Sequence, residues 1–157
     1  MNIRFIKSSE KKRILNELNE KFGVDSLPYL LIGTGKERIR AFSGSMSKDE
    51  IMKLGDMANV ELIGSYIMSG RDDDLRFNFD FISLIRKSIK EGIVDIDELQ
   101  FYDFIRGKDI SLKCEKGVVV LRHEGNLVGV GKSNGEKIFN YIPKERRIKI
   151  KANNKTL

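Results

Sequence analysis

Gly129-Val130-Gly131-Lys132-Ser133 is the stretch most suggestive of chemistry, because a glycine-rich turn ending in Lys-Ser is how a phosphate-binding loop cradles a nucleoside triphosphate. The spacing fails. A G-x-x-x-x-G-K-S pattern ending at Ser133 needs glycine at position 126, where Asn126 stands, and Gly125 comes one residue too early. Asn134-Gly135 also breaks the helix whose N-terminus would hold the phosphates. Gly33-Thr34-Gly35-Lys36 fails for the same reason and suits a hairpin turn. Asp72-Asp73-Asp74 offers hard oxygen ligands, yet consecutive acids diverge and no glutamate follows at calcium-loop spacing, which leaves a solvated turn. His123 is expected at the surface, since no nucleophile or carboxylate partner can be placed beside it. Cys114 sits among Lys113, Glu115 and Lys116 with nothing to activate its thiol. One cysteine and one histidine exclude an intramolecular disulfide and leave too few ligands for a zinc cage. No catalytic residue, cofactor site or metal site is expected.

What remains is charge and flat surface. The chain carries 29 basic and 23 acidic side chains, a net charge of +6, and the excess is not evenly spread. Residues 1–98 hold 16 basic against 17 acidic groups, whereas residues 99–157 hold 13 against 6, a segment of net +7. Beyond Phe139 the basic residues are Lys144, Arg146, Arg147, Lys149, Lys151 and Lys155, opposed by Glu145 alone. Such a field concentrates a phosphate backbone and responds to salt. Phe101, Tyr102 and Phe104 beside Arg106 and Lys108 combine stacking surface with cations. On a helix Phe101, Phe104 and Ile105 share a face and belong to the core, leaving Tyr102, Arg106 and Lys108 outside.

The elements that must position these residues are readable from periodicity. Ser9 to Phe22 places Ile14, Leu15, Leu18 and Phe22 on one helical face, ended by Gly23. Tyr29–Ile32 and Arg38–Phe42 form a hairpin around Gly33-Thr34-Gly35. Ser47-Lys48-Asp49-Glu50 is a capping box launching a short helix that Gly55 or Asn59 ends. Val60–Met68 and Arg76–Phe79 are strand-like around the turn Ser69–Asp74, and Phe81 to Ile89 returns to helical spacing before Gly92. After Gly92, Ile93–Ile96 is a strand, Asp97 caps a helix through Phe104, and Gly107 ends it. Gly117–Leu121 and Leu127–Val130 are strands joined at Glu124-Gly125-Asn126. Short strands with glycine turns suggest a small barrel. The fold class expected is α+β, with a small α/β domain over residues 1–91, its sheet covered by helices, and a β pseudo-barrel over 92–157. Residues 152–157 are expected to fray. The absence of any apolar run of bilayer length and of a secretion signal argues for a soluble, unexported protein in a reduced, cytoplasmic setting.

The succession of the helix, Arg106-Gly107-Lys108-Asp109-Ile110, Gly117-Val118-Val119-Val120, the turn at 124–126, Leu127 to Lys132 and Asn140-Tyr141-Ile142-Pro143-Lys144-Glu145-Arg146-Arg147 resembles a PUA domain over about residues 92–150. PUA domains are pseudo-barrels shared by pseudouridine synthases and archaeosine transglycosylases. The Asn140–Lys144 segment looks like the closing portion of PUA modules appended to RNA cytosine methyltransferases of the sun family, whose catalytic domain this length does not accommodate. An α/β domain followed by a PUA module resembles the Nip-seven family of ribosome-biogenesis factors, although its histidine and aromatic positions are here Asn78, Asp80 and Phe81.

The PUA resemblance implies an RNA cleft beside the first helix and the last strand. Arg106, Gly107 and Lys108 would approach the sugar-phosphate chain, with Gly107 allowing close passage. Lys144, Arg146, Arg147 and Lys149 would form a second wall, where strand alternation sends Arg147 and Lys149 to one face and Arg146 to the other. Arg122 and Lys132 would add contacts from the central strands. The function expected is a non-catalytic RNA-binding protein holding structured RNA, a ribosomal precursor or transfer RNA, with an N-terminal domain docking a protein and no membrane contact. The alternative is an RNA-modification enzyme or accessory subunit related to methyltransferases or pseudouridine synthases.

Overall fold

Ile14, Leu18 and Phe22, spaced by four, are the buried residues of α1 (Ser8–Phe22), and Gly23 ends the helix at φ 65°, the left-handed conformation that only glycine adopts cheaply. The computed structural model describes residues 3–58, 63–70 and 76–149. Its chain divides into two units, Met1–Glu91 and Gly92–Leu157.

In the first unit β1 (Ile3–Phe5), β2 (Leu30–Thr34), β3 (Arg38–Phe42), β4 (Ser65–Ser69) and β5 (Arg76–Phe77) form an antiparallel sheet in chain order. Gly33 and Thr34 lie inside β2, so the hairpin turn starts one register later than their small side chains suggest. α2 (Lys48–Met57) starts at the Ser47/Glu50 capping box, in which Glu50 N–H donates to Ser47 Oγ at 3.3 Å and Ser47 N–H to Glu50 Oε2 at 2.7 Å. Gly55 does not end this helix; it lies within it, and Asn59 falls outside the described residues. Ile51 of α2 packs with Ile32 and Ile63. α3 is short, Phe81–Ile85, and is held by the rings of Phe22, Phe77 and Phe81, with centroids 5.7 and 5.5 Å apart. The acidic run Asp72–Asp74 and the strand start at Val60 lie outside the described residues.

The second unit is a curled half-barrel with strand order β6 (Ile93–Asp95), β8 (Gly117–His123), β9 (Asn126–Ser133), β10 (Lys137–Asn140), β7 (Ile110–Ser111). Among the described residues of this unit only β6–β8 is parallel. α4 (Glu98–Ile105) follows β6, and its Asp97/Gln100 capping box is closed by bonds of 2.8 and 3.0 Å. Phe104 is fully buried and Tyr102 is 44% exposed, as helical periodicity demands. The Glu124-Gly125 turn joins β8 to β9 with both residues at positive φ, the pairing that matches strand twist. With two sheets and four helices among the described residues, the α+β class and a PUA-like pseudo-barrel fit the molecule.

Candidate nucleic-acid interface

α4 delivers its last turn into a loop whose backbone is closed by Gly107 N–H donating to Phe104 O at 2.9 Å and Lys108 N–H to Asp103 O at 3.0 Å. Arg106 leaves this turn exposed, its guanidinium 5.9 Å from the Tyr102 ring and without an acidic partner among the described residues. Lys108, also exposed, pairs with Asp103 at 3.0 Å. Water screens such a pair strongly.

Asn140, at the end of β10, fastens this loop to the closing segment. Its side-chain N–H groups donate to Phe104 O at 2.7 Å and Lys108 O at 2.9 Å, and its Oδ1 accepts from Ile142 N–H at 2.8 Å. Its backbone N–H donates to Asp109 Oδ1 at 2.9 Å. That bond, with Lys137 next in weight, holds the Asp109 carboxyl below the usual range. The closing segment then crosses the helix end, where Ile148 N–H donates to Ile105 O at 2.9 Å. The helix-end loop and the closing segment are therefore one surface, tied chiefly by the Asn140 side chain and the Ile148 backbone bond. Neither tie is visible as a charge or a periodicity, although Asn140 opens a recognisable segment.

Two expectations about this surface need correction. Lys144–Arg146 is a 3-10 turn rather than a strand, so strand alternation does not sort its side chains; Pro143 at φ −54° starts the turn. Gly107 is covered rather than open. A Cβ there would lie 2.3 Å from Arg147 Cδ, so the space is filled by the Arg147 side chain, whose Nε donates to Ile142 O at 3.1 Å. Arg147 is half-buried and belongs to the architecture of the loop, while Lys144 and Lys149 are exposed and without acidic partners among the described residues. Arg146 is exposed and has a partner of its own within the chain.

The remaining two candidates lie elsewhere on the sheet. Arg122 of β8 is forked onto Asp95 of β6, with Nε to Oδ1 at 2.6 Å and a second bond of 2.7 Å. That hydrogen bonding lowers the Asp95 carboxyl and raises Arg122. Arg122 is thus neutralised by its own module. Lys132 of β9 is exposed and pairs across the sheet with Phe139, not with the helix-end loop. Lys151 and Lys155 lie outside the described residues.

The groups first considered for chemistry have structural partners. His123 is half-buried, stacked on Phe101 at 4.5 Å with its Nδ1 3.1 Å from Ile96 O, not a free surface histidine. Cys114 Sγ bonds Ser133 Oγ at 3.1 Å. Gly131 of the loop-like Gly-Lys-Ser stretch is in β9, where a Cβ would meet Ile138 Cγ2 at 2.4 Å, so packing accounts for the glycine. No group of three or more metal-ligating side chains occurs among the described residues, and no helix among them is long and apolar enough to cross a membrane.

Residues 91–148 match the family model described as the methyltransferase RsmF PUA domain. Over 80 residues, 49% of this chain and 17% of the relative, the sequence is 30% identical to ribosomal RNA small subunit methyltransferase F of Psychromonas ingrahamii. Over 57 residues, 35% of this chain and 12% of the relative, it is 30% identical to the methyltransferase of the same name from Aeromonas salmonicida. The chain spans less than a fifth of the length of these relatives. Both relatives bear the name of an enzyme, which overturns the expectation that this protein is not one, and what they share with it is the region of the PUA-like domain. The likeness to the Nip-seven family receives no support from these comparisons. Residues 91–148 carry a PUA-like domain of the RsmF methyltransferase type.

Proposed function

We propose that this chain serves methyltransferase-related modification of ribosomal RNA, its PUA-like unit holding small-subunit rRNA for the reaction. The observation that supports this reading is the joining of the helix-end loop to the closing segment through Asn140 and Ile148, since these two stretches bear Arg106, Lys108, Lys144 and Lys149, the first three within the matched residues 91–148. Such a surface recognises backbone shape and phosphate more than base sequence. Gly107 and Arg147 shape it, Arg146 follows Lys144 in the closing segment, Lys132 adds charge from the sheet, and Arg122 is held by Asp95. The α/β unit that precedes the PUA-like unit would dock a protein, in keeping with an accessory or recognition part of a modifying enzyme. Its place in this reading is the cytoplasm. The order that resembles Nip-seven factors would direct the chain to a ribosome precursor; the named relatives favour methylation over that reading.

Filter binding against a folded small-subunit rRNA fragment tests the proposal. Affinity should fall steeply with salt, and the combined variant Arg106→Ala, Lys144→Ala, Lys149→Ala should flatten the slope by about two to three. A slope unchanged in that variant would remove the surface from the reading. Failure of this chain, added to a methyltransferase assay on the same fragment, to alter methyl transfer would remove the role in modification.

A further inference from the structure

β10 and the two residues that follow it have two sides that differ in kind. Ile138 is 1% exposed, Asn140 bonds the helix-end carbonyls and Ile142 is 5% exposed, so alternate residues face the interior of the module. Phe139 and Tyr141, set between them, are 40% and 38% exposed. Phe139 pairs across the sheet with Lys132 of β9, an exposed amine with no acidic partner among the described residues. Lys137 places its Nζ 5.5 Å from the Phe139 ring and 3.0 Å from Asp109 Oδ2. A flat ring held in the open by a rigid strand, with amines on two sides, satisfies what an unpaired base and its phosphate require together: a π face and a nearby positive charge.

The geometry points to a stacking surface for unpaired nucleotides of RNA, formed by Phe139 and Tyr141 with Lys132 beside them, on the side of β10 opposite Asn140. It rests on the reading that the module holds RNA and adds a second contact area to it. The helix-end surface supplies charge with Tyr102 as its exposed ring, whereas this strip supplies two exposed rings with amines beside them. A structured RNA with a flanking single strand would engage both. The cationic setting at Lys132 and Lys137 favours a polyanion over an apolar protein segment, for which amines beside the ring are poor neighbours.

The test uses the full chain and two labelled probes, a hairpin and an unstructured ten-nucleotide RNA containing 2-aminopurine. Phe139→Leu and Tyr141→Leu keep apolar bulk and remove the ring face; Phe139→Tyr keeps a ring. Each leucine variant should weaken binding of the unstructured probe about tenfold, leave the salt slope unchanged and abolish the fluorescence change of the stacked base. Phe139→Tyr should behave as the parent. Thermal unfolding of the variants should match the parent, since the altered rings face solvent. If the leucine variants bind both probes like the parent while Arg106→Ala with Lys149→Ala loses affinity, the RNA reading stands and the stacking surface is overturned, leaving the strip to a protein contact. If the parent binds neither probe, the underlying reading falls and this inference with it.

Discussion

Arg147 lies across Gly107: the two residues, forty positions apart, are so close that a Cβ on Gly107 would fall 2.3 Å from Arg147 Cδ and 2.4 Å from its Nε. Gly107 also holds φ 89°, which a side chain resists. The cation most exposed to interpretation as a phosphate contact is thereby a strut between the helix end and the closing segment.

Gly107→Ala should lower the stability of the second unit by about 1–3 kcal/mol, from backbone strain and displacement of Arg147. Chemical denaturation measures it. With Arg147→Ala already in place the same change should cost less, because no side chain remains to be displaced, and additive costs would show that the contact is energetically idle.

Asn140→Ala removes two donated bonds and one accepted bond, leaving Phe104 O, Lys108 O and Ile142 N–H to find water. The expected loss is about 2–4 kcal/mol. RNA affinity should fall with it below the unfolding transition, because the loop bearing Arg106 loses its tie. Asn140→Asp keeps only the acceptor and should recover a minor part, as judged by denaturation and filter binding.

Arg122→Ala should leave the salt slope of RNA binding nearly unchanged, since Asp95 already neutralises the guanidinium. Lys149→Ala should reduce the slope by about one. Equal slopes for the two variants in salt-dependent filter binding would contradict this division of the cations.

Asp109 should make the second unit acid-sensitive. Its folded value lies below the ordinary 3.8 through the Asn140 N–H and then Lys137, so its contribution is complete above 3.8 and is lost as pH falls through the folded value. Asp109→Asn should flatten the fall of the melting temperature between about pH 4 and pH 2 relative to the parent, in calorimetry at matched ionic strength.

Ser47→Ala should cost about 1 kcal/mol through loss of the bond from Glu50 N–H, with Ser47→Asp restoring it. Circular dichroism during denaturation reads both.

Local signals in the chain accounted for much of the fold. The Ile14-Leu18-Phe22 face, the Gly23 terminator, both capping boxes and the Glu124-Gly125 turn are encoded within a few residues of one another, and tertiary packing agreed with each. Where packing overruled them the reason is identifiable. Gly33 and Thr34 have turn chemistry, but Arg4 and Ile3 of β1 pair opposite them and extend the strand. Gly55 has terminator chemistry, but helical bonding continues beyond it to Ala58 N–H, which donates to Leu54 O at 2.9 Å.

The amino-acid sequence by itself determined where the helices start, which strands hairpin, and that the positive charge gathers in the last third, because capping, periodicity and composition are short-range or additive properties. Which of those charges stay available was decided only by tertiary structure. Arg122 meets Asp95 across 27 positions and Asn140 reaches Phe104 across 36, and pairing at such separations depends on how strands curl and close, not on any spacing along the chain.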